Sequence, residues 1–338
     1  MTVSATAQTA FFQQLKDQLP VHVSLVDEVA DLLGVSTDSA YRRIRSQTAL
    51  TFDEATVLAA RFQLSLDHFV ATDNPQIGFS YRPLNEQSYT FIDYLRTIRD
   101  DLATINAFED REVLYLANDI PFFHLLQVPE VAAFKMFFWE KTILDFQSRS
   151  NEKFDLFVLR NEEVASICRE IREAWCSIPS VEFYGSDAVT YTLKQINYYH
   201  ESGLFAQSST AQFLCEKLLE VMNHLEAQAV YGRKFTGQKV PEAWKEEPGN
   251  NYQLYYNEVL HVDNTVLVKA GNNVASYLTN NGLNSLSTVS QGFYESSRKA
   301  INVLLRKSTL ISGTSEKERN KVFRSYRQQI EQHMARLD

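Results

Sequence analysis

Leu32-Leu33-Gly34-Val35-Ser36, running into Thr37-Asp38-Ser39-Ala40-Tyr41-Arg42-Arg43-Ile44-Arg45, reads as the turn and second helix of a helix-turn-helix. Ala30 and Gly34 lie four apart, where a first helix comes close to its partner and then turns sharply. Glycine reaches positive φ there without a Cβ penalty. Ser36 is placed to cap the next helix, its hydroxyl accepting from an orphan backbone N–H. At ~100° per residue, Ala40 and Ile44 share one side of that helix, with Ser36 and Gln47 nearby. Asp38, Arg42 and Arg45 fall opposite, flanked by Tyr41, Ser39 and Ser46, and Arg43 lies toward the side. A short helix thus packs on two apolar residues and displays arginine outward. The planar arginine fork suits both phosphate oxygens and the guanine edge in the major groove.

The flanks extend the pattern. Helices fit Gln8–Leu19 and Ser24–Leu33; after the arginines, Thr51-Phe52-Asp53-Glu54 opens another through Phe62. Ser65-Leu66-Asp67-His68-Phe69 starts a fifth short one. Leu58, Phe62, Leu66 and Phe69 are available for a shared core.

Residues 1–70 resemble the Xre/Cro/phage-repressor type of helix-turn-helix, which also has five helices and a similar closing Ser-Leu-Asp phrase. The string Ser36–Arg45 also looks like the BetR-like bacterial regulators. The second buried position of the reading helix comes ten residues after Gly34, where the phage-repressor pattern has nine, which implies a different roll in the groove. The resemblance implies base reading by Thr37, Asp38 and Arg42. It implies phosphate contact, which positions without reading sequence, by Ser36, Tyr41, Arg43 and Arg45. Ser39 completes the candidate DNA-binding face.

Charge argues the other way. The chain carries a net charge of −9, which repels DNA at long range. Residues 1–70 hold five Lys/Arg against eight Asp/Glu, a net of −3. Affinity from counterion release is therefore expected to be modest and confined to one face. Three of those five cations, Arg42, Arg43 and Arg45, fall within four residues of the reading helix.

A length of 338 residues suits two or three domains. The divisions read are a helix-turn-helix domain at 1–70, a linker at 71–87 broken by Pro75, Gly78 and Pro83, a helical dimerisation or regulatory domain at 88–240, and a small β-β-β-α-α domain at 250–338. Helical periodicity runs through Tyr89–Phe108, Glu130–Phe146, Asn161–Cys176, Asp187–Ser202 and Ser208–Tyr231, with a brief strand at Glu112–Leu116. Tyr252–Leu260 and Thr265–Ala270 read as a hairpin about His261-Val262-Asp263-Asn264. Val274–Leu278 reads as a third strand, and helices follow at Gln291–Lys307 and Glu316–Leu337. Ser315 and Glu318 have capping-box spacing. The expected fold class is mainly α: a five-helix N-terminal domain, a central helical domain and a small C-terminal α+β unit.

Other constellations are weaker. Residues 79–146 hold fourteen aromatics in 68 positions, the makings of an apolar pocket or dimer face, or simply of a helical core. The stretch from Arg298 to Asp338 has a net charge of +6; its last helix is expected to pack on strands or a second subunit. A supplementary phosphate contact from Arg319, Arg324 and Arg327 is a lesser alternative. Lys307-Ser308-Thr309 lacks the glycines of a phosphate loop. Cys168, Cys176 and Cys215 lack metal spacing, and the histidines share no face. No nucleophile–base set is visible, so no catalytic residue, metal or cofactor is expected.

No apolar stretch approaches the ~20 residues of a membrane span, and the N-terminal residues given do not combine positive charge with an apolar run, so a secretory signal is not expected. The expectation is a cytoplasmic transcriptional regulator, a homodimer on a double-stranded DNA operator, with a small-molecule or protein effector left unidentified. The alternative is a helical protein–protein interaction scaffold whose helix-turn-helix does not bind DNA.

Overall fold

The computed structural model describes residues 7–19, 23–62, 64, 66–69, 77–156, 161–237, 240, 242, 249–258, 264–280 and 282–337. The chain divides into two compact units, Met1–Phe79 and Ser80–Asp338.

The first unit is helical: α1 (Ala7–Gln18), α2 (Leu25–Leu33), α3 (Thr37–Ile44), α4 (Phe52–Phe62) and a 3-10 turn at Leu66–Phe69. Phe11, Phe12 and Leu15 of α1 meet Val29 and Ala30 of α2, Ala40 of α3, and Leu58 and Ala59 of α4 in one core. Ile44, Phe62, Leu66 and Phe69 pack against it, partly buried. Gly34 ends α2 at φ +62°, and the Val35 N–H donates to the Ala30 carbonyl at 3.0 Å. This satisfies an orphan carbonyl at the helix end and swings the chain into α3.

The second unit overturns the mainly helical expectation. It is a substantial α/β fold built on an eight-stranded mixed sheet, ordered β1-β7-β6-β5-β2-β3-β4-β8. The strands are β1 (Ser80–Tyr81), β2 (Arg111–Ala117), β3 (Ser180–Gly185), β4 (Tyr252–Asn257), β5 (Thr265–Ala270), β6 (Asn273–Asn280), β7 (Asn284–Thr288) and β8 (Thr309–Leu310). β2, β3 and β4 run parallel, and every other pairing is antiparallel. Parallel neighbours need long crossovers. Here α6 (Phe122–Leu125), α7 (Pro129–Phe138) and α8 (Glu162–Ser177) join β2 to β3, while α9 (Thr190–Glu201) and α10 (Thr210–Tyr231) join β3 to β4. The remaining helices are α5 (Phe91–Asn106), α11 (Gln291–Leu305) and α12 (Glu316–Met334).

The region read as a helical domain therefore supplies two central strands, and the strands read as a separate small unit complete the same sheet. Strand alternation sorts the two faces. Val113 packs with α5 and α8, and Ala117 with α7, α9 and α10. Leu114, Leu116, Phe183 and Leu267 face the other way, onto Tyr294 and Ile301 of α11.

Three local expectations change with the sheet. β4 and β5 do not form a hairpin: β4 pairs with β3 and β8, and β5 with β2 and β6. Residues 261–263 of the expected turn lie outside the described residues. β5 instead forms a hairpin with β6, turning at Gly271 with φ +59°. The later part of the expected linker belongs to the sheet, because β1 pairs with β7 and Asn284 Nδ2 donates to the Arg82 carbonyl at 2.7 Å. Its residues 71–76 lie outside the described residues. Ser315 makes no side-chain capping bond at α12.

A carboxylate sits in the middle of the core. Glu182 of β3 is fully buried. His124 Nε2 donates to it at 2.8 and 3.0 Å, the Tyr184 hydroxyl at 2.7 Å and the Ser180 hydroxyl at 3.1 Å. Burial alone pushes the Glu182 carboxyl up. His124, Lys234 and Tyr184 outweigh it and hold the group below the usual carboxylate range. An ionised carboxylate only accepts, so the bonded His124 nitrogen carries the proton. The arrangement is no hydrolytic triad, since Ser180 donates to the carboxylate rather than to an imidazole base. It ties α6 to the sheet.

Replacing Glu182 by Ala leaves His124, Tyr184 and Ser180 without their common acceptor. Urea unfolding of Ser80–Asp338 in the full chain is expected to lose about 3–5 kcal/mol. A loss below about 1 kcal/mol contradicts this account of the buried network.

Candidate nucleic-acid interface

The outward face of α3 is set by what its inward face and its two ends do. Ala40 is fully buried and Ile44 half-buried against the α1–α2–α4 core. Ser36 caps the helix start: its hydroxyl accepts from the Ser39 N–H at 3.3 Å and donates to the Ser39 hydroxyl at 3.0 Å. The Ser36 O–H is thus engaged inside the protein.

Arg43 is engaged more completely. Its Nε lies 3.2 and 3.1 Å from the two Glu54 oxygens, and its Nη2 lies 2.7 Å from Oε1. The remaining Nη1 donates to the Ser39 carbonyl at 3.2 Å. Glu54 also closes a capping box at α4, accepting from the Thr51 N–H at 3.0 Å while its own N–H donates to the Thr51 hydroxyl at 3.2 Å. Both side chains of the ion pair are mostly buried, at 16% and 19% exposed, so solvent screens the pair less than an open surface pair. The resemblance implies a phosphate role for Arg43, and the structure places its guanidinium on Glu54. Its fork is committed to Glu54, and it positions α3 on α4.

Gln8 of α1 locks the other end. Its Nε2 donates to the carbonyls of Arg43 at 2.7 Å and Thr48 at 2.8 Å, and its Oε1 accepts from the Leu50 N–H at 3.0 Å. Ser46 adopts φ +55°, a left-handed conformation unusual outside glycine. Its N–H donates to the Arg43 carbonyl at 2.9 Å, and its hydroxyl meets that of Thr9 at 3.0 Å. Neither Gln8 nor Glu54 was visible as part of the site, because each acts across more than ten residues of sequence. Glu54 did carry one local sign, the Thr51-x-x-Glu54 capping spacing.

What remains outward is Thr37, Asp38, Tyr41, Arg42 and Arg45, all exposed, with Ser39 half-buried beside them. Arg42 Nε pairs with Asp38 Oδ2 at 3.1 Å, with the side chains 60% and 72% exposed. A pair so open is worth under about 1 kcal/mol and yields readily to a stronger acceptor. The Arg45 guanidinium lies 5.2 Å from the Tyr41 ring centroid, a contact that restrains it without occupying its N–H donors.

Comparison of the chain with protein-family models, with curated proteins and with solved structures finds no match. The chemistry of the face therefore carries the functional reading.

The lesser alternative, a phosphate contact along α12, finds little support in the side chains. Arg319 is buried, donating to the Gly313 carbonyl at 2.7 Å, and Arg327 is paired with Glu226 at 2.6 Å. Arg324 alone of the three is exposed. Among the described residues, no cluster of three His, Cys, Asp or Glu could hold a metal, and no helix is long and apolar enough to cross a membrane.

Replacing Glu54 by Ala removes the fork's acceptor and half of the capping box. Unfolding of the first unit is expected to lose about 2 kcal/mol, whereas Arg42→Ala and Arg45→Ala stay within about 0.5 kcal/mol. Arg43 holds the Glu54 carboxyl below its ordinary 4.5. The stability this gives is complete above that value and lost as pH falls through the lower folded value. The stability gap between wild type and Glu54→Gln should therefore shrink in acid. A gap unchanged between neutral pH and acid contradicts the pairing.

Proposed function

We propose that the chain is a sequence-specific DNA-binding transcriptional regulator of the Xre/Cro type. Its reading head is the outward face of α3, and Ser80–Asp338 supplies dimerisation and effector sensing. The observation that carries the reading is the division of labour among the arginines. One is locked to Glu54 as a strut, while Arg42 and Arg45 stay exposed on a helix that is fixed at both ends. A reading helix needs this rigidity, because bidentate base contacts depend on the angle at which the fork is presented.

In this reading Thr37, Asp38 and Arg42 face base edges. Tyr41 and Arg45 reach phosphate, and Ser36 and Ser39 hold the helix start whose first N–H groups suit a phosphate oxygen. Asp38 holds Arg42 in place before binding and penalises nonspecific contact through its charge. Specificity then comes at the expense of raw affinity, in keeping with the net −3 of residues 1–70. One short helix reads few base pairs, which favours a homodimer on half-sites about one helical turn apart. The protein acts in the cytoplasm, where operator DNA is accessible.

A selection from random double-stranded DNA with the full chain should enrich a two-fold symmetric sequence. Arg42→Ala should weaken binding to it by about 5- to 150-fold. Arg45→Ala should weaken binding uniformly across sequences and lower the salt slope by about 1. No enriched sequence, or unaltered binding in both variants, defeats the proposal.

A further inference from the structure

Two lysines of the second unit are equally buried, at 3% exposed. Lys135 is fully satisfied: its ammonium donates to Asp119 Oδ2 and Gln195 Oε1, both at 2.7 Å, and to Thr192 Oγ1 at 3.2 Å. The Lys234 ammonium has no hydrogen-bond partner among the described residues. It lies 3.8 Å from the centroid of the Trp175 ring. That contact returns only part of the hydration an ammonium loses on burial. Burial pushes the amine down to about 8, against the opposing pull of Glu182 and Cys176.

Three acceptors of this region are engaged by other donors. The Phe235 carbonyl accepts from Gln127 Nε2 at 3.2 Å, His224 Nε2 at 3.1 Å and Gln228 Nε2 at 3.4 Å. The Cys176 carbonyl accepts from Asn251 Nδ2 at 3.0 Å. Glu182 is saturated by His124, Tyr184 and Ser180. The Lys234 ammonium is left without a bonded acceptor among the described residues.

Lys234 also lines a cleft of about 640 Å³, with Arg233, Ser177, Thr236, Asn250 and Asn251 around it. Glu173 is the one carboxylate among the described lining residues. The cleft opens at the ends of the parallel strands where β3 and β4 begin, since Ser177 precedes β3 and Asn250 and Asn251 precede β4. Its lining offers hydroxyl, amide and cationic donors, the complement of an oxyanion.

We propose that this cleft binds a small anion through its phosphate or carboxylate group, with the Lys234 ammonium as the counter-charge. Lys234 lines the cleft while its ammonium is buried, and the four-carbon stem lets an entering anion draw it outward. The site stands independently of the DNA reading. Within that reading, the anion is the charged group of the effector.

The test titrates the full-length protein with sodium phosphate and, separately, with sodium succinate, at an ionic strength held constant with chloride. Tryptophan fluorescence follows binding, and the rate of Lys234 acylation by acetic anhydride is read by peptide mass spectrometry. At least one of the two anions should saturate a fluorescence change and alter the acylation rate at Lys234, and which one does so identifies the group recognised. Lys234→Met should weaken that binding by about tenfold or more. Its melting temperature should be unchanged or raised, because an unpaired buried charge has been removed. Absence of saturable binding by both anions up to roughly 50 mM overturns the proposal, as does binding by Lys234→Met as tight as wild type. If that variant fails to fold, the wild-type acylation rate decides: a rate that neither anion alters overturns the proposal. No DNA is present, so neither outcome touches the DNA reading.

Discussion

The bidentate bond between Arg43 and Glu54 is the constraint on which the proposed reading head depends. It joins the side of α3 to the first turn of α4, and Glu54 serves the fork and the α4 cap together. With Gln8 bracing the loop after α3, an eight-residue helix is held at its side and its end. Isolated helices of that length are marginal in water, so tertiary bonds have to supply what length does not. In the proposed reading, the arginine expected as a third DNA contact is the one that positions the other two.

The second unit manages charge differently. Its parallel strands carry a buried glutamate whose acceptor capacity is filled by an imidazole and two hydroxyls. Lys135 shows that this fold satisfies a buried ammonium completely where the amine is structural. The contrast with Lys234 gives the cleft at the start of β3 and β4 its interest. Two residues of the same type and burial have opposite hydrogen-bond accounts, and the unsatisfied one lines a cleft.

Legibility in the sequence followed the range of the interactions. The helix-turn-helix was readable because its signals are local: Gly34 for the turn, Ser36 for the cap, and Ala40 and Ile44 one turn apart for the buried side. β2 was readable from its apolar run. β3 was not, because its core-facing positions are Ser180, Glu182 and Tyr184, so the alternation that marks a strand is inverted by the buried polar network. With β3 missed, the parallel core vanished from view. The strands after residue 250 then paired by proximity into a hairpin that the sheet does not contain, giving a separate small domain and a mainly helical class. Within the candidate site, the exposed residues were legible from helical phase. The commitment of Arg43 was not, since its partner lies on another helix.

The central claim is that α3 reads base edges through Arg42. It is tested most directly by a double-mutant cycle on the selected DNA site, with Arg42→Ala on one side and single base-pair changes on the other. The account predicts that the variant loses discrimination at one base pair in each half-site, by about 1–3 kcal/mol, and keeps it at the others. Discrimination unchanged at every position would contradict it.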